Sequence, residues 1–445
     1  MAIETPHTAP EGAVATRGVF KHRLLCLSTG SELEDDGLIL NNPRSGRDSL
    51  LRSLFPRKEF RPDSARRGIY RYSDWLPIAE SVDSAAAPVT FRSARLGRRL
   101  GLSRLFVTFN GRWDAIGAET ETGTFKDCEA AAVLARFPRG CGRVLVVASA
   151  GNTARAFIKT ASDNGLPLVA VIPESCLGEL WIPGEKGPGI FIVAASGGAD
   201  YQEVIGLANR ICEIPGFQSE GGAKNVARRD GLGVSVLSAA EEAGEIPDFY
   251  FQAVGSGTGA IAAHEANLRL NESRDFEAKT MSLELSQNAP FTPIFDAWVS
   301  GSRTMATGGP EGAESARARI GAIHAKTLSN RNPPYGLVGG LFDCLVASRG
   351  EVLAVTNAEA REAQEVFREL EGCDISAEAG VATASLIKKA ERGEIGATSL
   401  VMLNVTGGGL ERLRGDPRSA RLRPDLVLGV AEFDPDRFLA AMERA

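Results

Sequence analysis

Lys126 lies in the run Glu121-Thr-Gly-Thr-Phe-Lys-Asp-Cys-Glu129, between a turn of small residues and the apolar stretch Glu129-Ala-Ala-Ala-Val-Leu-Ala-Arg136. Arginine keeps its proton in a protein, whereas a lysine can be tuned toward neutrality and condense with an aldehyde. A lone lysine at a helix start is ordinarily a surface residue, so its neighbours decide the reading. Cys128 has no histidine nearby in sequence and reads as a small, partly buried side chain rather than a nucleophile.

Three glycine-bearing turns share the chain with this lysine. Gly255-Ser-Gly-Thr-Gly259 joins a strand pattern to a helix pattern, and suits a phosphate: glycines let backbone N–H groups approach, Ser256 and Thr258 add hydroxyls, and the helix N-terminus favours an anion. It lacks the Lys-Ser/Thr ending of a nucleotide loop and the spacing of the dinucleotide fingerprint. Ser149-Ala-Gly-Asn-Thr153 is a second strand-to-helix turn, suited to a carboxylate, with the Asn152 amide available to a phenolic oxygen. Thr406-Gly-Gly-Gly409 offers one hydroxyl beside backbone that can lie close to a flat ring. Each turn alone could be structural; their order along the chain gives them weight.

The elements that must position these residues read as strand, turn, helix, repeated. Arg143 to Ala148 and Leu166 to Ile172 are short apolar runs flanking a helical stretch, Ala154 to Ala161, which makes a βαβ unit. Phe249 to Val254 and Ser399 to Val405 are further strands, each running into one of the glycine turns. Such units build parallel sheets that bind ligands at the carboxyl ends of strands. The breaks around Leu177 to Pro188 and Gly301 to Gly312 read as mobile loops.

A chain of 445 residues implies two or three domains. A net charge of -6 gives no support for a nucleic-acid or anionic-membrane partner. Apolar runs never reach the length of a membrane span, and Met1-Ala-Ile-Glu-Thr-Pro-His7 lacks the regions of a signal peptide, so a cytoplasmic location is expected. The seven cysteines are scattered and odd in number, as reduced thiols are. Thr8 to Thr16 reads as disordered. Cys26-Leu-Ser-Thr29-Gly30 and Asn41-Asn42-Pro43 outline a ribbon of facing knuckles, but one cysteine cannot supply four zinc ligands and no metal is expected.

Taken together, Thr124-Phe-Lys-Asp127, Ser149-Ala-Gly-Asn-Thr153, Gly255 to Gly259 and Thr406 to Gly409 resemble the motifs of the cysteate synthase and threonine synthase family of fold-type II pyridoxal 5′-phosphate enzymes. Tyr72 to Pro77, Phe109 to Trp113, Leu285 to Pro293 and Leu328 to Tyr335 add to the likeness, which covers roughly residues 68 to 410. The resemblance implies an α/β fold like that of the tryptophan synthase β-subunit, with two doubly wound domains and the cofactor in the cleft. The expected plan is a 1–66 extension carrying the ribbon, a discontinuous large cofactor domain over 67–130 and 240–430, a smaller substrate domain over 131–239, and a 431–445 tail.

By the same resemblance Lys126 is the Schiff-base lysine and the base at the substrate Cα. Asn152 holds the ring oxygen, Gly255, Ser256, Gly257, Thr258 and Gly259 the cofactor phosphate, and Thr406 the pyridine nitrogen. Ser149, Ala150, Gly151, Thr153 and Arg155 bind substrate, with Arg112, Arg331 and Asn332 as further candidates for its anions. The implied reaction is a β-replacement, O-phosphoserine and sulfite giving cysteate and phosphate. Another replacement or addition in bacterial sulfonate or coenzyme M biosynthesis, and a threonine synthase acting on O-phosphohomoserine, stay open as alternatives. The expected partners are a small anionic amino acid and a sulfur nucleophile, in a homo-oligomer of two or three chains.

Overall fold

The computed structural model describes residues 20–305 and 310–445. The stretch Thr8 to Thr16 and part of the Gly301 to Gly312 loop lie outside them.

Two parallel sheets organise the chain. The larger runs in the order Glu351–Val355, Ser282–Asn288, Phe249–Ala253, Leu400–Val405, Arg104–Phe109, Val89–Arg92, parallel except for the last strand. The smaller runs Phe217–Ser219, Val144–Ala148, Leu168–Pro173, Ile190–Ser196, Leu426–Gly429, parallel throughout. Their strands are continuous apolar runs because helices cover both faces. Alternation sorts each strand between cores: Tyr250 and Met402 enter one, Phe251, Val401 and Leu403 another. In the smaller sheet Leu145, Val147 and Ala170 join the same core as Tyr250, while Val144, Val146 and Val169 face an outer one. One central core is therefore shared by both sheets.

The helix Lys126–Arg136 lies in that central core against the helix Val226–Ala243. Gly231 permits the approach: a Cβ there would sit 2.6 Å from the Cys128 carbonyl oxygen and 2.7 Å from the Ala132 Cβ. Close packing at Gly231 brings Arg228, one turn earlier, beside the first turn of the Lys126 helix.

Several segments depart from the sequence reading. Leu426–Gly429, expected with the large domain, pairs in parallel with Ile190–Ser196, and the 431–445 tail contains the helix Pro435–Met442. The physical reason is apolar: Phe438 is fully buried against Phe191, Phe217 and Phe433. Leu177 to Pro188 contains the strand Trp181–Pro183, tied to Ser419–Arg421. The ribbon forms as Glu32–Glu34, Arg23–Cys26 and Leu51–Leu54, antiparallel. Its knuckle is knitted by hydroxyls, with Ser28 Oγ 2.8 Å from Ser45 Oγ and 2.9 Å from Ser49 Oγ, and the Cys26 thiol 3.3 Å from Ser28 Oγ. Among the described residues no three His, Cys, Asp or Glu side chains gather as a metal site, and no helix is long and apolar enough to cross a membrane.

Candidate active site

Strands of the two sheets end at one cleft. Val144–Ala148 runs into the Ser149 turn, Phe249–Ala253 into the Gly255 turn and Leu400–Val405 into Thr406, and all three turns line one cleft together with Lys126.

Lys126 opens its helix, its backbone N–H 3.3 Å from Thr124 Oγ1. The turn before it is fixed from two sides. Asp127, itself buried, accepts hydrogen bonds from the Thr122 backbone N–H (2.8 Å) and hydroxyl. Phe125 N–H donates to the Thr406 carbonyl (3.0 Å) and Gly408 N–H to the Gly123 carbonyl (3.1 Å), which laces the lysine turn to the Thr406 turn. The Lys126 amine lies 2.7 Å from Glu129 Oε2 and 4.7 Å from the centre of the Phe125 ring. Burial pulls its pKa below the ordinary lysine value; Glu129 opposes this and Arg228 adds to it. An amine moved toward neutrality is what condensation needs.

In the Ser149 turn, Ser149 Oγ accepts from the N–H groups of Gly151 (3.0 Å) and Ala154 (2.9 Å), so the hydroxyl shapes the turn. Gly151 has φ +139°, a conformation that side chains resist. Asn152 begins the helix Asn152–Asp163, and its Oδ1 accepts from Arg155 Nη2 at 2.9 Å, which leaves the amide nitrogen for the cleft.

The Gly255 turn leads into the helix Thr258–Ser273. Gly257 has φ +75°, and a Cβ on it would stand 2.6 Å from Leu341 Cδ2. Ser256 Oγ lies 2.9 Å from Thr258 Oγ1 and accepts from the Thr258 N–H. Among the described residues the N–H groups of Ser256, Gly257 and Gly259 have no acceptor. Unmatched donors at a helix N-terminus are a phosphate site. A partly buried amine, a set of unmatched N–H donors, an amide nitrogen and a threonine hydroxyl in one cleft fit a phosphorylated aldehyde with a polar ring.

The substrate arginines are placed differently from expectation. Arg155 does not line the cleft: it is 1 % exposed, donates to Thr122 O (3.2 Å) and Asn152, and stacks 4.3 Å from the Trp181 ring centre. Its position one turn after Asn152 puts it behind that residue, where it sets the amide. Arg331 pairs with Asp200 at 2.6 Å, Arg112 pairs with Asp114 at 2.7 Å beside a different cavity, and Asn332 is exposed.

The cleft also holds Tyr201, Arg228, Gln252, Thr327, Asn330 and Glu378, none of which the sequence reading singles out. Beside Lys126, Arg228 is the cation that lines it. Arg228 donates to Glu220 through Nε and Nη2, both at 2.7 Å, and its Nη2 lies 2.8 Å from Glu129 Oε1. These two carboxylates hold the guanidinium pKa up despite burial, while burial pushes Glu220 up against the pull of Arg228. A signal existed: Glu129 is a lone acid heading an apolar helical run, and Arg228-Arg229-Asp230 precedes Gly-Leu-Gly-Val-Ser-Val-Leu237. Charges attached to apolar helices have to be paired if buried.

Comparison with known proteins places these residues in context. The family described as "Pyridoxal-phosphate dependent enzyme" matches residues 118–407. The cysteate synthase of Methanocella paludicola is 44 % identical over 396 residues, covering 88 % of this chain and 92 % of its own length. That of Methanosarcina acetivorans is 41 % identical over 407 residues, covering 91 % and 96 %. Among solved structures, maize serine racemase superposes with a TM-score of 0.54 at 16 % identity, covering 74 % of this chain and 90 % of that one, a likeness of fold.

Proposed function

The chain belongs to the pyridoxal-phosphate dependent enzyme family, and on that premise we propose that it is a cysteate synthase, replacing the phosphate on Cβ of O-phosphoserine with sulfite. The observation that carries the reading is the near full-length likeness to cysteate synthases, joined to a cleft that holds an amine and two anion turns. When bound, pyridoxal phosphate supplies an aldehyde for amines and a ring that withdraws electrons from Cα.

The chain does the rest. Unmatched N–H groups of Ser256, Gly257 and Gly259 hold the cofactor phosphate, with the hydroxyls of Ser256 and Thr258 beside them. Asn152, set by Arg155, donates to the ring oxygen, and Thr406 meets the ring nitrogen. A hydroxyl there does not enforce protonation of that nitrogen, which favours replacement over transamination. The Ser149 to Thr153 turn receives the substrate carboxylate at the N-terminus of Asn152–Asp163. Lys126 removes the proton from Cα and returns it. The free cysteines agree with a reducing, cytoplasmic setting.

The test is chemical. Purified enzyme with O-phosphoserine and sulfite should release phosphate and form cysteate by mass spectrometry, and O-phosphohomoserine should give little threonine. Threonine as the main product, or a sulfonate lacking the amino-acid skeleton, would replace this reading with another member of the family's chemistry.

A further inference from the structure

Glu129 has no part in the scheme above, yet it is the side chain that touches the Lys126 amine. Its residue is fully buried. One carboxylate oxygen lies 2.7 Å from Lys126 Nζ; the other is ion-paired with Arg228, 2.8 Å from Nη2, without a hydrogen bond of its own. Arg228 is clamped in turn by Glu220, which also accepts from the Gly222 N–H at 3.0 Å. The cluster thus balances two cations with two anions, three of the four groups buried and the Lys126 amine partly so. Tyr201 is the other titratable group facing it, and burial pushes its phenol up, so it adds no charge.

The arrangement is asymmetric in a useful way. Lys126 is the member of the cluster with work elsewhere; when its amine turns to the cofactor, Glu129 keeps its ion pair to Arg228 and has no reason to move. A buried carboxylate with a second cation is held in place, whereas one left alone would protonate or relocate. The carboxylate therefore stands fixed at the spot to which the amine returns.

We propose that Glu129 is a positioning residue for the chemistry at Lys126: held by Arg228 and Glu220, its carboxylate receives the amine once that amine has taken the Cα proton, and keeps the resulting ammonium in place. The proton that leaves Cα stays on Nζ against Glu129 until Nζ returns it to Cα. This rests on Lys126 being the amine that meets the cofactor, and is independent of which nucleophile the enzyme uses.

Cofactor capture by the apoenzyme tests it without turnover. Capture needs the neutral amine, so the rate at which added pyridoxal phosphate develops its visible absorbance should rise with pH through a midpoint set by Lys126. In Glu129→Gln the amine loses its anion while Arg228 remains, and the midpoint should drop by about one pH unit or more. Glu129→Asp should fall between the two, and it serves in place of the glutamine variant if that fails to fold. Glu220→Gln loosens the lock without removing the carboxylate in contact, and should shift the midpoint less. A folded Glu129→Gln protein with the wild-type midpoint overturns the proposal, as does a Glu220→Gln shift as large as that of Glu129→Gln. Lys126→Ala separates the premise: it should develop no such absorbance, and if it does, the lysine assignment fails rather than the role of Glu129.

Discussion

Asp127 follows Lys126 and is the more deeply buried of the two, at 4 % exposed. Burial raises its pKa to about 6, against the opposing hydrogen bonds from Thr122. The folded protein thus holds this proton more tightly than the unfolded chain, where an aspartate titrates near 4. Its stabilising contribution is fully present below about pH 4 and is lost as pH rises through 6. A shift of about two units corresponds to roughly 3 kcal/mol. The stability of wild type relative to Asp127→Asn should therefore fall by up to about that amount between pH 4 and 7, read from denaturant midpoints. A difference that stays flat with pH would show that Asp127 ionises freely in the fold. Cys128 stands at the next position, and burial pushes its thiol well up, which agrees with a packing residue and leaves the nucleophilic role to the amine.

Among the elements, the turns at strand ends were legible and the helix contacts were not. Val144–Ala148, Phe249–Ala253 and Leu400–Val405 fall within a residue or two of the runs read from sequence, because a strand covered on both faces is an uninterrupted apolar string. The glycine turns that follow announce themselves locally, through residues whose conformations other side chains resist. Arg228 reaches Glu129 by another route: two helices approach because Gly231 has no side chain, and that fact joins positions about a hundred residues apart without any local mark. Arg155 was misplaced for a related reason, since sequence fixes which turn of the helix it occupies but not that Trp181 lies beneath it. The Gly255 turn gives a direct test of element over side chain. In Gly257→Asp a Cβ is forced on Leu341 at a φ of +75°, and a carboxylate enters the phosphate site, so cofactor retention should be lost. In Thr406→Ala one hydrogen bond is removed, typically worth about 1 kcal/mol, and the dissociation constant should rise only several-fold. Cofactor dissociation followed by the visible absorbance compares the two; equal affinities would show that the turn is a structural bend.

At the scale of the whole molecule the chain folds outward from a shared core and then closes on itself. The larger sheet is assembled from segments on both sides of the smaller one in sequence, and after Thr406 the chain crosses back to add Leu426–Gly429 to the smaller sheet. Asp425 anchors this return, accepting from the Ile192 N–H (2.8 Å) and from Lys186. The last helix then seats Phe438 among Phe191, Phe217 and Phe433, with Met442 buried beside them. The smaller sheet carries the Ser149 turn on Val144–Ala148, so its outer core supports the substrate side of the cleft, while the Gly255 turn belongs to the larger sheet. Phe438→Ala leaves a cavity in that outer core and should destabilise it by about 3–5 kcal/mol. Because the damage is confined to one sheet, the response of the cofactor spectrum to added amino acid should weaken at a lower temperature than the one at which the cofactor itself is released. Absorbance melts of the holoenzyme with and without O-phosphoserine measure both transitions. If they move together in Phe438→Ala, the two sheets unfold as one cooperative unit through the shared central core, and the C-terminal return supports the entire molecule.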